Sequence, residues 1–362
     1  MPPAALTDDL IEEILLRFSP EEPELLVRAA LVSKCWFRLI SDPRFRRRFR
    51  ELHRAPPMLG FFCNDYLTSR FVPTSSAPLP HVIRVDWRSV DARHGRVLLS
   101  AASWHSFSFG CSGDDLVVWD PVTGDHHRLP KLPDHMYPHP YCCNWTAAVL
   151  CAAAEGGCDH LDCHRAHFLV VFVCIGSREA VACVYSSETG AWSGRASAQL
   201  RRARVHLAAP SALVGNALHF MSGDYGRNIK ILKHDLGTQE ISLRADGLGF
   251  ASVHGSKLDL WSRVSGTKGY ARWAQSQAID IGTIGTLPVP ASLPTICCID
   301  GVTAIVRGKD QTYVIIHLKT GQIRKIPQDR VIYPVVPYTS FYTPALGPAS
   351  TCEGPREGSS SP

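Results

Sequence analysis

The sequence lacks the long uncharged apolar run that a membrane-spanning helix requires. Such a helix needs about 18 or more consecutive apolar residues, and charged or turn-forming residues interrupt every hydrophobic segment before that length. The first residues, MPPAALTDDLIEE, have no basic segment and carry acidic side chains where a secretory signal would be apolar. We therefore expect no membrane span and no signal peptide.

A strong net charge is also missing. Lys and Arg total 38 against 33 Asp and Glu, so the formal net charge is +5 over 362 residues. A dedicated nucleic-acid binder usually has a much larger basic excess, so we expect no nucleic-acid partner. The chain is 45% hydrophobic and 20% charged, which is typical of globular proteins, and its length predicts two or more domains.

Sequence signatures of catalysis are absent. The chain has neither a G-x-S-x-G elbow nor a G-x-x-x-x-G-K-[ST] phosphate loop. Its 16 histidines are scattered without an evident scheme of partners. The 13 cysteines are an odd number in a long chain, and nothing directs the protein to an oxidising compartment. We therefore expect reduced thiols in the cytoplasm, the nucleus or both.

The densest group of possible metal ligands is the stretch Cys158–His167. Its sequence, CDHLDCHRAH, places two cysteines and three histidines within ten residues. A structural zinc site usually joins two well-separated pairs of ligands, whereas this stretch would supply all of them from one short loop. We therefore expect no metal site, and likewise no catalytic residue and no cofactor.

Helical patterns are concentrated at the N-terminus. Thr7 is a candidate N-cap for a helix whose first turn carries two aspartates, the favourable charge at that end of a helix. A second helix begins either after a Ser19 capping box or with Pro23 at its first position. Three or four helices of this size leave apolar surface uncovered, which indicates a partner or, alternatively, a cap packed on the rest of the chain.

The spacing of the apolar residues over Leu6–Phe45 resembles an F-box. The most specific part is the Val-Ser-Lys-Cys-Trp element at 32–36, which Leu39 and Ile40 follow. The family usually has proline after the first leucine, where this chain has Thr7. The whole layout is similar to plant F-box proteins with a degenerate, propeller-like C-terminal domain, in which the phrase WDPVTG, here starting at Trp119, is a familiar first repeat.

The resemblance implies that the N-terminal helices dock on the small Skp-type adaptor of a cullin-RING ubiquitin ligase and, through it, on a cullin. It implies an adaptor rather than an enzyme, with a second domain that collects an unidentified target protein. The candidate adaptor-binding residues make apolar contacts or hold the helices that make them: Leu6, Thr7, Leu10, Ile14, Leu15, Val32, Ser33, Trp36, Leu39 and Ile40.

A dense run of arginines follows the F-box pattern, with phenylalanines between them at helical spacing. We interpret this run as the solvated face of an amphipathic helix whose other face packs on the next domain, rather than as a binding site for an anionic partner. The arginines are Arg44, Arg46, Arg47, Arg48, Arg50 and Arg54.

After Pro56-Pro57 the hydrophobic period changes from helical to alternating, which predicts strands. The predicted strands are Met58–Phe62, Arg96–Leu99, Leu116–Trp119, Phe168–Val173, Ala180–Tyr185, Leu218–Met221, Ile229–Lys233, Lys257–Trp261, Thr303–Val306 and Tyr313–Leu318. No long helical pattern interrupts them, so we expect an all-β domain rather than a βαβ fold.

One unit recurs in this region: a strand, a polar turn around a glycine, and another strand. We expect positive φ at these glycines, and a second hairpin signal such as His94-Gly95 or Gly215-Asn216 precedes most of them. The turn glycines are Gly124, Gly190, Gly237, Gly266 and Gly321. Two hairpins per unit make a four-stranded sheet, and repeated sheets predict a β-propeller of about six or seven blades. A pair of β-sandwiches is the alternative.

The predicted organisation is multidomain: an all-α F-box domain over residues 1–55, an all-β, kelch-like propeller domain over 56–346, and a disordered tail over 347–362. Strands near Leu59–Phe62 and Ser340–Thr343 are candidates to close the ring. The predicted function is substrate recognition in an SCF-type ubiquitin ligase. The alternative is a stand-alone propeller, either a binding module or a carbohydrate-active protein, with a helical cap.

Overall fold

The computed structural model describes residues 7–64, 68–74, 87–101, 115–136, 145–153, 158, 160, 163, 166–176, 178–199, 211–222, 230–244, 250–254, 257–265, 271–280, 295–299, 303–307, 313–318, 322–326 and 335–342. The chain divides into two compact units. One runs to Pro57 and also includes Phe341, and the other contains the strands between Met58 and Ser340. The domain boundaries given above remain predictions.

Four short helices form the first unit: α1 (Asp8–Leu16), α2 (Pro23–Val32), α3 (Lys34–Ser41) and α4 (Pro43–His53). Pro23 occupies the first position of α2, so the second of the two predicted starts is correct. Ser33 caps α3 by accepting a hydrogen bond from the Trp36 N–H, and Asp42 caps α4 in the same way. Thr7 is the N-cap residue of α1, but its side chain makes no capping hydrogen bond.

The core of the helical unit combines one face of each helix. Its fully buried members come from all four helices and include Leu15, Leu26, Ile40, Phe45 and Phe49. Phe49 also packs edge-to-face on Phe341, with ring centroids 6.4 Å apart. Each such side chain contributes about 1.5–3 kcal/mol by leaving water, so a bundle this short depends on a handful of residues.

The described strands of the second unit form six antiparallel sheets, numbered I to VI, and pairing is between neighbouring strands except where stated. Sheet I contains β1 (Met58–Asn64), β2 (Ser69–Pro73) and β23 (Val335–Thr339). Sheet II contains β3 (Trp87–Arg93), β4 (Arg96–Ala101), β5 (Leu116–Trp119) and β6 (His126–Arg128). Sheet III contains β7 (Trp145–Cys151), β8 (Phe168–Ile175), β9 (Glu179–Ser186), β10 (Ala191–Trp192) and β11 (Ala196–Gln199); β10 and β11 both pair with β9 and not with each other.

Sheets IV to VI follow in chain order. Sheet IV contains β12 (Ala212–Val214), β13 (Ala217–Ser222), β14 (Lys230–Asp235) and β15 (Ile241–Arg244). Sheet V contains β16 (Phe250–His254), β17 (Lys257–Ser265) and β18 (Ala271–Asp280). Sheet VI contains β19 (Thr295–Ile299), β20 (Thr303–Arg307), β21 (Tyr313–His317) and β22 (Ile323–Ile326). The ten strands predicted from the alternating pattern each overlap one of these elements, although Ile229 lies outside the described residues, so the all-β prediction is confirmed.

The turn that recurs in the sequence also recurs in three dimensions. Asp120 at the end of β5 and Asp235 at the end of β14 each accept hydrogen bonds from the backbone N–H groups two and three residues later, at 2.8–3.2 Å. This Asx geometry fixes the turn that leads to the next strand. Gly124 has the expected positive φ, 82°, but in the second turn the positive φ lies at Gln239, 58°, rather than at Gly237. In both turns the positive φ falls four residues after the aspartate; glycine occupies that position in the first turn, whereas in the second turn the glycine comes two residues earlier.

Sheet I joins the two ends of the β region. β1 pairs antiparallel with β2 on one side and with β23 on the other. The predicted pairing of an early strand with a late strand is therefore confirmed, although the late strand is Val335–Thr339 rather than Ser340–Thr343. Contacts of β3 with β7 and β23, and of β19 with β16 and β23, connect successive sheets. This arrangement is compatible with a propeller.

Two further findings bear on location and redox state. Within the described residues, no helix is both long and apolar enough to cross a membrane. Cys174 on β8 is disulfide-bonded. This differs from the expectation of reduced thiols.

Candidate functional site

The candidate adaptor-binding residues separate into groups by burial. Leu10 and Ile14 on α1 and Val32 at the end of α2 are exposed to 53%, 46% and 68%. Leu15 and Ile40 are completely buried in the helical core. Thr7 is exposed, the side chains of Ser33, Trp36 and Leu39 are half-buried, and Leu6 lies outside the described residues. The exposed and half-buried members can contact a partner, whereas the buried ones hold the helices.

Helix α1 divides its wide apolar surface between two directions. Ile11 and Leu15 face the core, whereas Leu10 and Ile14, one residue earlier in each turn, face outward. Residues four apart lie above one another on a helix, so Leu10 and Ile14 form one short apolar row. A hydrophobic row in this position is available to a partner.

A second pair of exposed apolar residues lies at the junction of α2 and α3. Leu31, 77% exposed, precedes Val32 there; it was not among the predicted site residues, although its place just before the Val-Ser-Lys-Cys-Trp element could have indicated it. The Cys35 thiol donates a hydrogen bond to Asp8 Oδ1 at 3.2 Å. This contact places the start of α3, and with it the α2–α3 junction, beside the first turn of α1.

Ion pairs fix α4 against α1. Arg48 donates to Glu12 Oε1 at 2.5 Å and to Glu13 Oε1 at 2.7 Å, and Arg47 pairs with Glu51 one turn away. Such exposed pairs contribute about 0–1 kcal/mol each, so they orient the helices more than they stabilise them. Arg48 therefore takes part in internal pairing, which reduces the basic character of the run.

The solvated-face interpretation of the arginine run holds only in part. Arg44, Arg47, Arg48 and Arg54 are exposed, as expected. Arg50 is only 7% exposed, because it shares the core-facing side of α4 with its neighbour Phe49 rather than the outer side.

The most exposed described thiol is unsuited to covalent chemistry. Cys35 is the exposed member of the free cysteines whose side chains are described. Its hydrogen bond to the Asp8 carboxylate raises the pKa of the Cys35 thiol, and residual burial adds to this effect. Because the thiolate is the nucleophile, this shift disfavours the reactive form of Cys35.

A separate cluster of sulfur and imidazole groups lies in the second unit. The ligand atoms of Cys151, Cys158, His160 and Cys163 all lie within 4.8 Å of one another. Cys158 Sγ is 3.5 Å from Cys163 Sγ, which in turn is 3.6 Å from His160 Nδ1. Burial raises the pKa of the Cys163 thiol well above its usual value, and the hydrogen bond with Cys158 adds to this rise. The sequence prediction considered the 158–167 stretch alone and missed Cys151, the last residue of β7.

The comparisons with known proteins identify the N-terminal helices. Residues 5–48 match the family described as the F-box domain. This match spans α1, α2, α3 and the first half of α4, and the predicted F-box is confirmed. F-box domains bind Skp-type adaptors within SCF complexes, so the match supports the role of a substrate adaptor.

Other comparisons add little. The search of curated proteins finds no match. Among solved structures, TolB from Acinetobacter baumannii is similar with a TM-score of 0.40 and 12% identity over 80% of this chain and 69% of that chain. The computationally designed protein Ika8 is similar with a TM-score of 0.32 and 14% identity over 78% of each chain. GH43B of a xyloglucan PUL from Bacteroides ovatus has a TM-score of 0.30 and 15% identity over 78% of this chain and 57% of that chain. At these TM-scores the similarities carry no argument.

Proposed function

We propose that this protein is the substrate-recognition subunit of an SCF-type ubiquitin ligase. One observation carries the proposal: the segment that matches the F-box, residues 5–48, holds exposed Leu10, Ile14, Leu31 and Val32 on helices that are otherwise well packed. A large exposed apolar group indicates an interaction surface. The F-box match does not favour a stand-alone module with an incidental helical cap.

The interface that we propose has contact residues and supporting residues. Leu10, Ile14, Leu31 and Val32 enter the adaptor directly, and each contributes about 1.5–3 kcal/mol when it leaves water completely. Half-buried Trp36 and Leu39 line the edge of the same surface. Leu15 and Ile40 act indirectly, since they hold α1 and α3 in place, and Ser33 does so by capping α3.

The β region then supplies the target-binding surface. The protein catalyses nothing itself; it holds a target protein near the ubiquitin-conjugating enzyme and so raises the effective concentration of the two reactants. We propose that it works in the cytoplasm, the nucleus or both.

Adaptor binding by paired charge variants tests the proposal. We expect Leu10→Glu/Ile14→Glu in the full chain to weaken binding to a purified Skp-type adaptor by roughly 30-fold or more, because loss of a hot-spot side chain costs at least about 2 kcal/mol. Biolayer interferometry with immobilised adaptor measures the change. Leu52→Glu is the matched control, because Leu52 is 58% exposed on α4, beyond the F-box match, and should leave the affinity unchanged.

The proposal fails if the wild-type protein binds the adaptor no better than a chain that lacks residues 1–50. It also fails if Leu52→Glu weakens binding as much as the α1 variant. A positive result leads to the target: proximity labelling under proteasome inhibition should enrich target proteins with the wild type and should recover the cullin only in the wild type, not in a Leu10/Ile14/Trp36 triple variant.

A further inference from the structure

We propose that Cys151, Cys158, His160 and Cys163 form a structural zinc site in the β region. The four ligand atoms lie within 4.8 Å of one another and come from two parts of the chain. Cys151 is the end of β7, whereas the other three residues belong to the connection from β7 to β8. The C-x₆-C-x-H-x₂-C pattern thus combines a ligand on a rigid strand with a compact group of three.

Two separations within the cluster are close to those of tetrahedral zinc, and the other ligand atoms are near enough to reach the same ion with small adjustments. With Zn–S near 2.3 Å and Zn–N near 2.0–2.1 Å, tetrahedral geometry places two sulfurs about 3.8 Å apart and a sulfur and a nitrogen about 3.6 Å apart. Cys158 Sγ and Cys163 Sγ are 3.5 Å apart, and Cys163 Sγ and His160 Nδ1 are 3.6 Å apart. Three thiolates and one imidazole are a frequent structural zinc set, and the thiolates exclude the hard cations that prefer oxygen.

The groups around the cluster support its thiolates. The backbone N–H of His160 donates to Cys158 Sγ at 3.3 Å, and such outer hydrogen bonds orient metal ligands. His160 adopts a positive φ of 57°, an uncommon conformation for a residue other than glycine that is found at sites where surrounding structure imposes it. In this conformation the Nδ1 atom of His160 lies 3.6 Å from the Sγ atom of Cys163.

The charge of the site is also compensated. A Zn²⁺ ion with three thiolates and a neutral imidazole carries a net charge of about −1. The guanidinium of Arg96, which is 4% exposed, donates to the carbonyl oxygens of Cys163 and Ala166 and interacts electrostatically with Cys163, Cys151 and Cys158 and with the buried Asp120 carboxylate. Its Nη1 is buried and has no hydrogen-bond partner among the described residues. A buried cation in this position favours an anionic metal complex.

The location explains what the metal would do. His94, in the β3–β4 turn, accepts a hydrogen bond from the Cys151 N–H at 3.1 Å and stacks on His160 with centroids 4.2 Å apart. Arg96 at the start of β4 contacts the same connection. The zinc ion would therefore fix the β7–β8 connection of sheet III against the β3–β4 turn of sheet II. Its role is structural, since all four protein ligands would be in place without an open position for substrate.

Metal content and spectroscopy test the proposal on the full chain. We expect one zinc per chain in protein purified under reducing conditions, measured by elemental mass spectrometry. Exchange with Co²⁺ should give the intense visible bands of tetrahedral cobalt with a thiolate charge-transfer band in the near ultraviolet. Cys158→Ser and His160→Ala should each lose the stoichiometric zinc and alter the cobalt spectrum.

Two control variants each remove one cysteine that lies outside the cluster. Cys183→Ala removes a buried thiol on β9, and Cys35→Ser removes the exposed thiol of the helical unit; both should retain one zinc. Chelation should lower the thermal midpoint of the wild type and of both controls, whereas it should leave that of Cys158→Ser unchanged. This readout separates metal loss from failure to fold.

Three results would overturn the proposal. One is wild-type protein that takes up neither zinc nor cobalt after reduction and reconstitution. Another is stoichiometric zinc in both ligand variants. The third is a disulfide between Cys158 and Cys163, found by mass spectrometry in protein that was reduced and then incubated with zinc, because that bond would replace the proposed ligands.

Discussion

The helical unit and the β unit differ in how completely they bury their large apolar side chains. In the described part of the small helical unit, five large apolar residues are exposed: Leu10, Ile14, Leu31, Val32 and Leu52. Among the described residues of the much larger β unit, Val214 and Ile323 are the large apolar residues with comparable exposure. Apolar surface per residue is thus concentrated in the part of the chain that forms the F-box domain.

The difference reflects how each architecture covers its surfaces. Successive sheets pack on one another, as in the cluster that joins Leu98 of sheet II with Val149 and Val170 of sheet III, and alternation places the remaining side chains in water. Four short helices have too little volume to enclose every apolar row. The helical unit therefore has an inner set of residues that stabilises it and an outer set that only a partner can cover.

Two substitutions in the helical unit should separate the inner from the outer set, with the largest expected effect on stability. Ile40→Ala should lower the free energy of unfolding by about 2–5 kcal/mol, because Ile40 is fully buried and its removal leaves a cavity. Val32→Ala should change it by less than about 0.5 kcal/mol, since Val32 is 68% exposed. Hydrogen exchange of the α3 and α4 amides measures the change in the free energy of unfolding for both variants. Equal changes would contradict the distinction between the inner and the outer set.

A substitution in the β unit tests how tightly its sheets are packed. A Cβ at Gly60 would contact the Phe71 ring and lie 2.5 Å from the Val72 carbonyl oxygen, so Gly60→Ala should cost about 1–3 kcal/mol through overpacking between β1 and β2. Gly194→Ala is the matched control, since nothing lies within 4 Å of its added Cβ. Thermal unfolding compares the two variants. Similar midpoints would show that sheet I is looser than the buried faces imply.

The smallest effect concerns the start of α1, where the chain departs from the usual F-box. Thr7 has a φ of −69° and its side chain makes no capping hydrogen bond, so proline fits this backbone without strain. We expect Thr7→Pro to raise stability by about 0.4–1 kcal/mol by restricting the unfolded chain and to strengthen adaptor binding. Denaturant unfolding and the adaptor titration measure the two effects. A loss of helix α1 in circular dichroism would contradict the expectation.

Local chemistry explains which parts of the fold were predictable. Helix starts are defined by Ser33, Pro23 and Asp42 through contacts within a few residues. The alternation of apolar and polar residues defines the strands equally locally. The turn at Gly237 was predicted incorrectly in detail because the positive φ falls four residues after the aspartate, at Gly124 after Asp120 but at Gln239 after Asp235. The prediction followed the glycine, whereas the distance from the aspartate decides which residue is left-handed.

The site was predictable only as a set of residues. The apolar face of α1 is wide enough that periodicity does not distinguish Leu10, which is exposed, from Ile11, which is buried; only the packing of α3 and α4 decides this. Cys151 was missed for a related reason. Its place in an apolar strand already accounts for its hydrophobic character, and its approach to Cys158 depends on the path of the β7–β8 connection.

The pairing of β1 with β23 has a consequence for synthesis of the protein. Phe62 of β1 pairs with Val336 of β23, 274 residues later in the sequence, a length that the ribosome translates in about 14–55 s at about 5–20 residues per second. During that interval β1 presents an unpaired edge, and such edges promote aggregation. A stop codon before Val335 would make this state permanent. Nascent chains of this protein should therefore bind chaperones until the last strand emerges, and short C-terminal truncations should be insoluble rather than merely inactive.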